Sequence, residues 1–283
     1  MKPIQLHNPI FQTRGVRLHV LPLYLNDPVI SGNKPYKLKY NLLDAKKQDQ
    51  HTILTFGGAF SNHIHATAAA CKQAGFKSIG LIRGEQTLPL NSTLSFAKKC
   101  GMQIEYLDRE TYRKKTSAEF IKKLHQQFGE FYLVPEGASN ALGVKGCSEI
   151  LNDVNSNNFN YICCPWGTGA TLQGIGLSLQ SNQKALGFSV LKGVSQLQPG
   201  LQNESANFQI IGDYHFGGYA KSSPELIRFT EEFEKTTTIP LDPVYTSKMF
   251  YGIYDLIQKG FFSPGTRILA IHTGGLKVFP VTF

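Results

Sequence analysis

From residue 52 onward, short apolar runs alternate with segments of helical periodicity, and this alternation restricts the fold of the 283-residue chain more than any other feature. Residues 52–56 form an apolar run closed by Gly57-Gly58; Ser61-Asn62 then caps a helix through Ala68-Ala69-Ala70-Cys71 that ends near Gly75. The pattern repeats with strands at 78–82, 103–107, 131–135, 161–165, 185–190, 208–211 and 267–271. Helices are expected at 91–99, 117–128, 141–151, from Leu172, at 224–235 and at 248–258. Strands this short and this apolar, separated by helices, form parallel sheet covered on both faces. The fold class is therefore α/β, with two doubly wound open-sheet domains. A smaller one at 48–140 is inserted in a larger one made of 1–47 plus 141–283. The first thirty residues are irregular apart from 16–21, an alternating piece that reads as a strand or hairpin arm.

Apolar residues make up 41% of the chain, enough for packed cores, yet no stretch approaches the length of a membrane span. No signal-peptide core is present at the N-terminus, so a cytoplasmic protein without a membrane partner is expected. The five cysteines are odd in number and lack metal-ligand spacing; Cys163-Cys164 falls inside an apolar run. Reduced, mostly buried thiols and no metal site follow. The formal charge of +9 is spread over scattered lysine pairs such as Lys46-Lys47 and Lys122-Lys123, with no basic stripe interleaved with aromatics. Small anions, not nucleic acid, are the expected partners.

One lysine stands apart. The turn residues Ser31-Gly32-Asn33 deliver Lys34 into a helix whose apolar face is Leu38, Leu42 and Leu43, with Pro35 at a first-turn position. The positive end of the helix dipole and the nearby Lys37 favour a neutral, nucleophilic amine; a basic, solvated helix face is the plainer alternative. In open α/β sheets, ligands gather where the carboxyl ends of strands meet helix N-termini. Three loops rich in small residues fall there. Gly167-Thr168-Gly169-Ala170-Thr171 offers backbone amides, two hydroxyls and a helix dipole for a phosphate, or is a tight turn that needs glycine. Gly58-Ala59-Phe60-Ser61-Asn62-His63 presents donors suited to a carboxylate, and His272-Thr273-Gly274-Gly275 closes the last strand with similar chemistry.

Taken in order, these motifs resemble one family. Gly-Asn-Lys with Lys37 three residues on, Gly-Gly-x-x-Ser-Asn-His, Pro135-Glu136-Gly137-Ala138-Ser139-Asn140-Ala141-Leu142-Gly143, Gly-Thr-Gly-Ala-Thr, Asp242-Pro243-Val244-Tyr245-Thr246-Ser247-Lys248 and His-Thr-Gly-Gly are similar to the 1-aminocyclopropane-1-carboxylate deaminase/D-cysteine desulfhydrase family. The resemblance implies a tryptophan-synthase β-like fold (fold type II), the cofactor pyridoxal 5'-phosphate, a small amino-acid substrate and a homodimer. It makes Lys34 the Schiff-base lysine that also moves the α proton, and Lys37 with Gly167, Thr168, Gly169, Ala170 and Thr171 the phosphate cradle. Asn62 matches the asparagine that bonds the cofactor's 3-hydroxyl. Ser61, Asn62 and His63 lie where the substrate carboxylate would sit, and Tyr219 and Tyr245 match two active-site tyrosines; a core aromatic is the alternative for Tyr219. The stretch departs from the family pattern at Tyr24-Leu25-Asn26-Asp27, at Tyr36 and His65, where arginines are usual, and at Leu276-Lys277.

Two positions point to the reaction. Thr246 stands where the deaminase branch has a glutamate that keeps the cofactor's ring nitrogen protonated, and Thr273 where that branch has leucine. A weaker electron sink suits β-elimination more than opening a cyclopropane ring. The resemblance thus implies a lyase acting on D-cysteine to give pyruvate, hydrogen sulfide and ammonia. The alternatives are 1-aminocyclopropane-1-carboxylate deaminase or elimination from another small amino acid, a non-catalytic protein that binds pyridoxal phosphate, and an anion-binding module without cofactor.

Overall fold

The computed structural model describes residues 1–152, 154–193 and 207–276. In chain order the elements open with β1 (Ile4–Gln5), α1 (Pro9–Thr13), β2 (Arg17–Leu21), α2 (Lys34–Lys47), β3 (Thr52–Gly58) and α3 (Asn62–Ala74). They continue through β4 (Lys77–Arg83), α4 (Ser92–Lys99), β5 (Met102–Leu107), α5 (Arg109–Arg113), α6 (Ala118–Phe128), β6 (Tyr132–Val134) and α7 (Ala141–Cys147). The remainder is β7 (Tyr161–Trp166), α8 (Ala170–Leu177), β8 (Lys184–Ser189), β9 (Phe208–Ile211), α9 (Pro224–Thr237), α10 (Thr246–Gln258) and β10 (Arg267–Ile271). The chain is α/β, as its alternation demands. No helix among the described residues is long and apolar enough to cross a membrane.

Among the described residues two compact units emerge, one of residues 1–33 with 147–276, the other of residues 34–146. The helix from Lys34 packs on α3 and so groups with the second unit, whereas the sequence placed that unit's start at residue 48. The larger unit carries the sheet β1-β2-β10-β7-β8-β9, parallel throughout except for the antiparallel β1–β2 pair. The piece at 16–21 is therefore an interior strand paired with β10, Arg267 facing Arg17 and Ile271 facing Leu21. Its core joins Leu18, Val20, Cys163, Phe188, Met249, Phe250, Ile253, Ile268 and Ala270. β7 shows why such strands are continuous apolar runs: Ile162, Cys163 and Cys164 are all inaccessible, because both faces are covered. The five cysteines are free thiols, with Cys71, Cys147, Cys163 and Cys164 buried and Cys100 partly exposed.

The smaller unit carries a four-stranded parallel sheet, β5-β4-β3-β6. One face packs Leu54, Phe56, Ile79, Leu81, Tyr112 and Leu124, and the other Ile64, Ala68, Ile82, Leu94 and Met102. Fully burying one such side chain contributes roughly 1.5–3 kcal/mol before the entropy of ordering is subtracted. Local differences from the sequence expectation are few. The helix expected over 141–151 stops at Cys147, after which the chain tightens into i+3 turns such as Ile150 N to Cys147 O. α8 and α10 begin two residues earlier than expected, at Ala170 and Thr246, and the short helices α1 and α5 were not anticipated. Lys277 lies outside the described residues.

Candidate active site

In the smaller unit, α2 begins at Lys34, itself half-buried. One turn on, buried Lys37 donates from Nζ to Gly137 O at 3.0 Å. A further turn on, the inaccessible Asn41 donates to Lys37 O at 2.9 Å and accepts from Asn140 Nδ2 at 2.7 Å. The segment 135–143 is thus a brace for the first turns of α2. Lys37, assigned to a phosphate cradle by resemblance, spends a donor on that brace.

α3 supplies the second group. Ser61 is its N-cap, the hydroxyl accepting from His63 N and Ile64 N at 3.2 and 3.3 Å. His63 turns into the unit, where its Nε2 lies 2.8 Å from Thr55 Oγ1, whose own proton goes to Val134 O at 2.7 Å. The ring nitrogen must therefore be the donor. Burial, reinforced by the ammonium charges of Lys34 and Lys37, pulls the His63 pKa down to about 3. The neutral imidazole offers no charge to a carboxylate, which limits the part expected of it. Asn62 Oδ1 is buried and has no hydrogen-bond partner among the described residues.

In the larger unit, the backbone around Gly32 has no room for a side chain: φ is +76°, and a Cβ there would stand 1.9 Å from Thr273 O. This close approach seats Asn33, which donates from its backbone to Thr273 O at 3.2 Å and from Nδ2 to Thr171 Oγ1 at 2.8 Å. Asn33, the residue that immediately precedes Lys34, therefore joins two of the small-residue loops to each other. In the sequence Asn33 is a turn former, and burial of its carboxamide is what marks this further use.

At the end of β7, α8 opens at Gly169, whose φ of +96° lies in the left-handed region, with no side chain capping the helix. The Trp166 indole Nε1 is buried without a hydrogen-bond partner among the described residues, 3.5 Å from where a Cβ on Gly169 would be. Thr171 is buried, accepts from Asn33 and retains its own O–H to donate. Tyr245 stands over this loop, since a Cβ on Gly167 would meet its Cε1 at 3.1 Å. The backbone of Tyr245 is set by Asp242 Oδ1, which accepts from Val244 N and Tyr245 N at 3.0 and 2.6 Å. The ring of Tyr219 meets Tyr245 edge-on at 6.0 Å, and its 44% exposure rules out the core-aromatic alternative. Thr246 is inaccessible, its hydroxyl accepting from Asp242 N at 2.7 Å. His272 donates to Pro240 O at 2.8 Å, and burial pulls its pKa down to about 4.

Residues 2–274 match the family model for pyridoxal-phosphate dependent enzymes. The chain belongs to that family. A Thermotoga maritima protein provisionally named 1-aminocyclopropane-1-carboxylate deaminase is 31% identical, over 97% of this chain and 93% of its own length. The mitochondrial bifunctional D-cysteine desulfhydrase/1-aminocyclopropane-1-carboxylate deaminase of Arabidopsis thaliana is 30% identical, over 87% of this chain and 69% of its own. A crystal structure of a homologue of that deaminase superposes with a TM-score of 0.82 at 29% identity, covering 97% of this chain and 89% of the other. The protein is a pyridoxal-phosphate-dependent enzyme of fold type II.

Each unit by itself offers groups suited to part of that cofactor. Among the described residues the N-terminus of α8 has no side-chain cap and the indole N–H beside Gly169 has no partner, and both suit a phosphate dianion. The unpartnered acceptor Asn62 Oδ1 suits a ring hydroxyl.

Proposed function

We propose that the enzyme catalyses β-elimination from D-cysteine, giving pyruvate, hydrogen sulfide and ammonia with consumption of one water. The observation that carries this reading is Thr246: the side chain there is neutral, fully buried and turned back onto Asp242, where a glutamate would place a carboxylate. Bound pyridoxal phosphate supplies an aldehyde for the substrate amine and a ring that withdraws electrons from Cα. Without a carboxylate from position 246 that withdrawal is weaker, which favours expulsion of a good leaving group from Cβ over ring opening.

Lys34 is assigned the cofactor linkage and the transfer of the α proton, and the loop from Gly167 to Thr171 the phosphate. Ser61 and Asn62 are assigned to substrate carboxylate and ring hydroxyl, and Tyr219 with Tyr245 to the reacting side chain. Thr273 enters through its carbonyl, which holds Asn33 in place. The larger and smaller units are proposed as the two domains of a homodimeric cytoplasmic enzyme, with sedimentation as the check on assembly.

The test is a product screen across D-cysteine, L-cysteine, D-serine and 1-aminocyclopropane-1-carboxylate. Sulfide and pyruvate from D-cysteine at the highest kcat/KM are expected. Ammonia and 2-oxobutanoate released faster from the cyclopropane substrate would replace this reading with deamination, the activity in the name of the Thermotoga relative.

A further inference from the structure

Lys248 has no accessible surface and lies three residues after Tyr245 on α10. Its Nζ donates to His215 O at 2.9 Å and to Gly218 O at 2.7 Å. Those carbonyls already close two consecutive turns, accepting from Gly218 N and Lys221 N at 3.0 and 3.1 Å. One ammonium thus bridges the start of the first turn and the start of the second, and Tyr219 sits inside the second.

The segment needs such a fastening. Phe216 and Ala220 hold φ of 50° and 54°, in the left-handed region that residues with a Cβ avoid unless the surroundings impose it. The edge-on contact of Phe216 with Tyr251 at 4.9 Å also ties these turns to α10, but it is apolar and sets no carbonyl direction. Burial lowers the Lys248 pKa to about 8 against the opposing pull of Asp242, so the cation is held at a cost that two carbonyl bonds offset.

We propose that Lys248 is a positioning residue, an internal cation that fastens the 215–221 turns to α10 and so sets Tyr219 against Tyr245. The catalytic consequence rests on the proposed role of those tyrosines; the structural one does not. The same ammonium links the two because Tyr245 is the cap of the helix that carries it.

The experiment compares the native holoenzyme with Lys248→Met, which keeps apolar volume but no donor, and Lys248→Ala, which opens a space lined by the two carbonyls. In Lys248→Met, amide hydrogen exchange over 213–221 is expected to rise about tenfold or more while β7 and β8 keep their protection. Its kcat should fall by about tenfold with the cofactor dissociation constant changed by less than about twofold. In Lys248→Ala, added ammonium or methylammonium should restore both kcat and the exchange protection of 213–221. Native exchange and native kcat in Lys248→Met would overturn the proposal, as would a uniform rise in exchange across the larger unit with no recovery in Lys248→Ala on adding ammonium. If the native enzyme turns over none of the amino acids screened, the functional reading fails, and exchange at 213–221 with its ammonium recovery still decides the role of Lys248.

Discussion

Lys34 is the residue on which the proposed cofactor linkage turns. Replacing it with alanine should leave the fold intact, lower turnover by about 10³-fold, and abolish attachment of a pyridoxyl group on borohydride treatment, as read by peptide mass spectrometry. Retained attachment in Lys34→Ala would move the linkage to another lysine. Gly32 governs the same place through the backbone. A Cβ there would lie 1.9 Å from Thr273 O and 2.5 Å from its carbonyl carbon, at a positive φ. Gly32→Ala is therefore expected to cost about 3 kcal/mol or more in denaturant unfolding and to displace Asn33 from Thr171 and Thr273. Gly-Asn-Lys was legible as a motif; that its glycine is needed for a carbonyl 241 positions away was not, because no local pattern encodes that approach.

Among the elements, α3 was the easiest to anticipate. Ser61 caps it and Gly75 ends it at φ +78°, both from short-range chemistry that the sequence spells out. Ser61→Ala should cost about 1 kcal/mol by denaturant titration through loss of the cap. If Ser61 also meets substrate, turnover should fall by clearly more than that loss of stability would cause, and an activity loss no larger than the change in folded fraction would assign it to capping alone. α7 shows the opposite case. Buried Cys147, Ile150 and Leu151 keep apolar spacing going past the point where hydrogen bonding changes from helix to i+3 turns, so periodicity alone overran its end. Short helices such as α1 escaped notice because five residues hold little more than one period.

At the scale of the molecule, each unit contains a buried neutral histidine, His63 in the smaller and His272 in the larger, with pKa values near 3 and 4 in the fold against an ordinary 6.5. A histidine whose folded pKa is depressed contributes stability that is present above its unfolded value and lost as pH falls through the folded one. Unfolding free energy should therefore decline between about pH 6.5 and pH 4, by up to about 1.4 kcal/mol per pH unit for each histidine. Denaturant midpoints measured across that range check it, and Thr55→Val should reduce stability further by removing the acceptor of His63 Nε2. The sequence by itself determined the α/β class, the parallel sheets and the order of the small-residue loops, since strand and helix periods, caps and glycine turns are local properties. What tertiary structure alone decided was the use of the side chains: Lys37 bracing Gly137, His63 held neutral against Thr55, Asn33 joining Thr171 to Thr273, and Lys248 buried beneath the Tyr219 turns. Those roles depend on desolvation and on partners distant in sequence, and neither exists until the chain has folded.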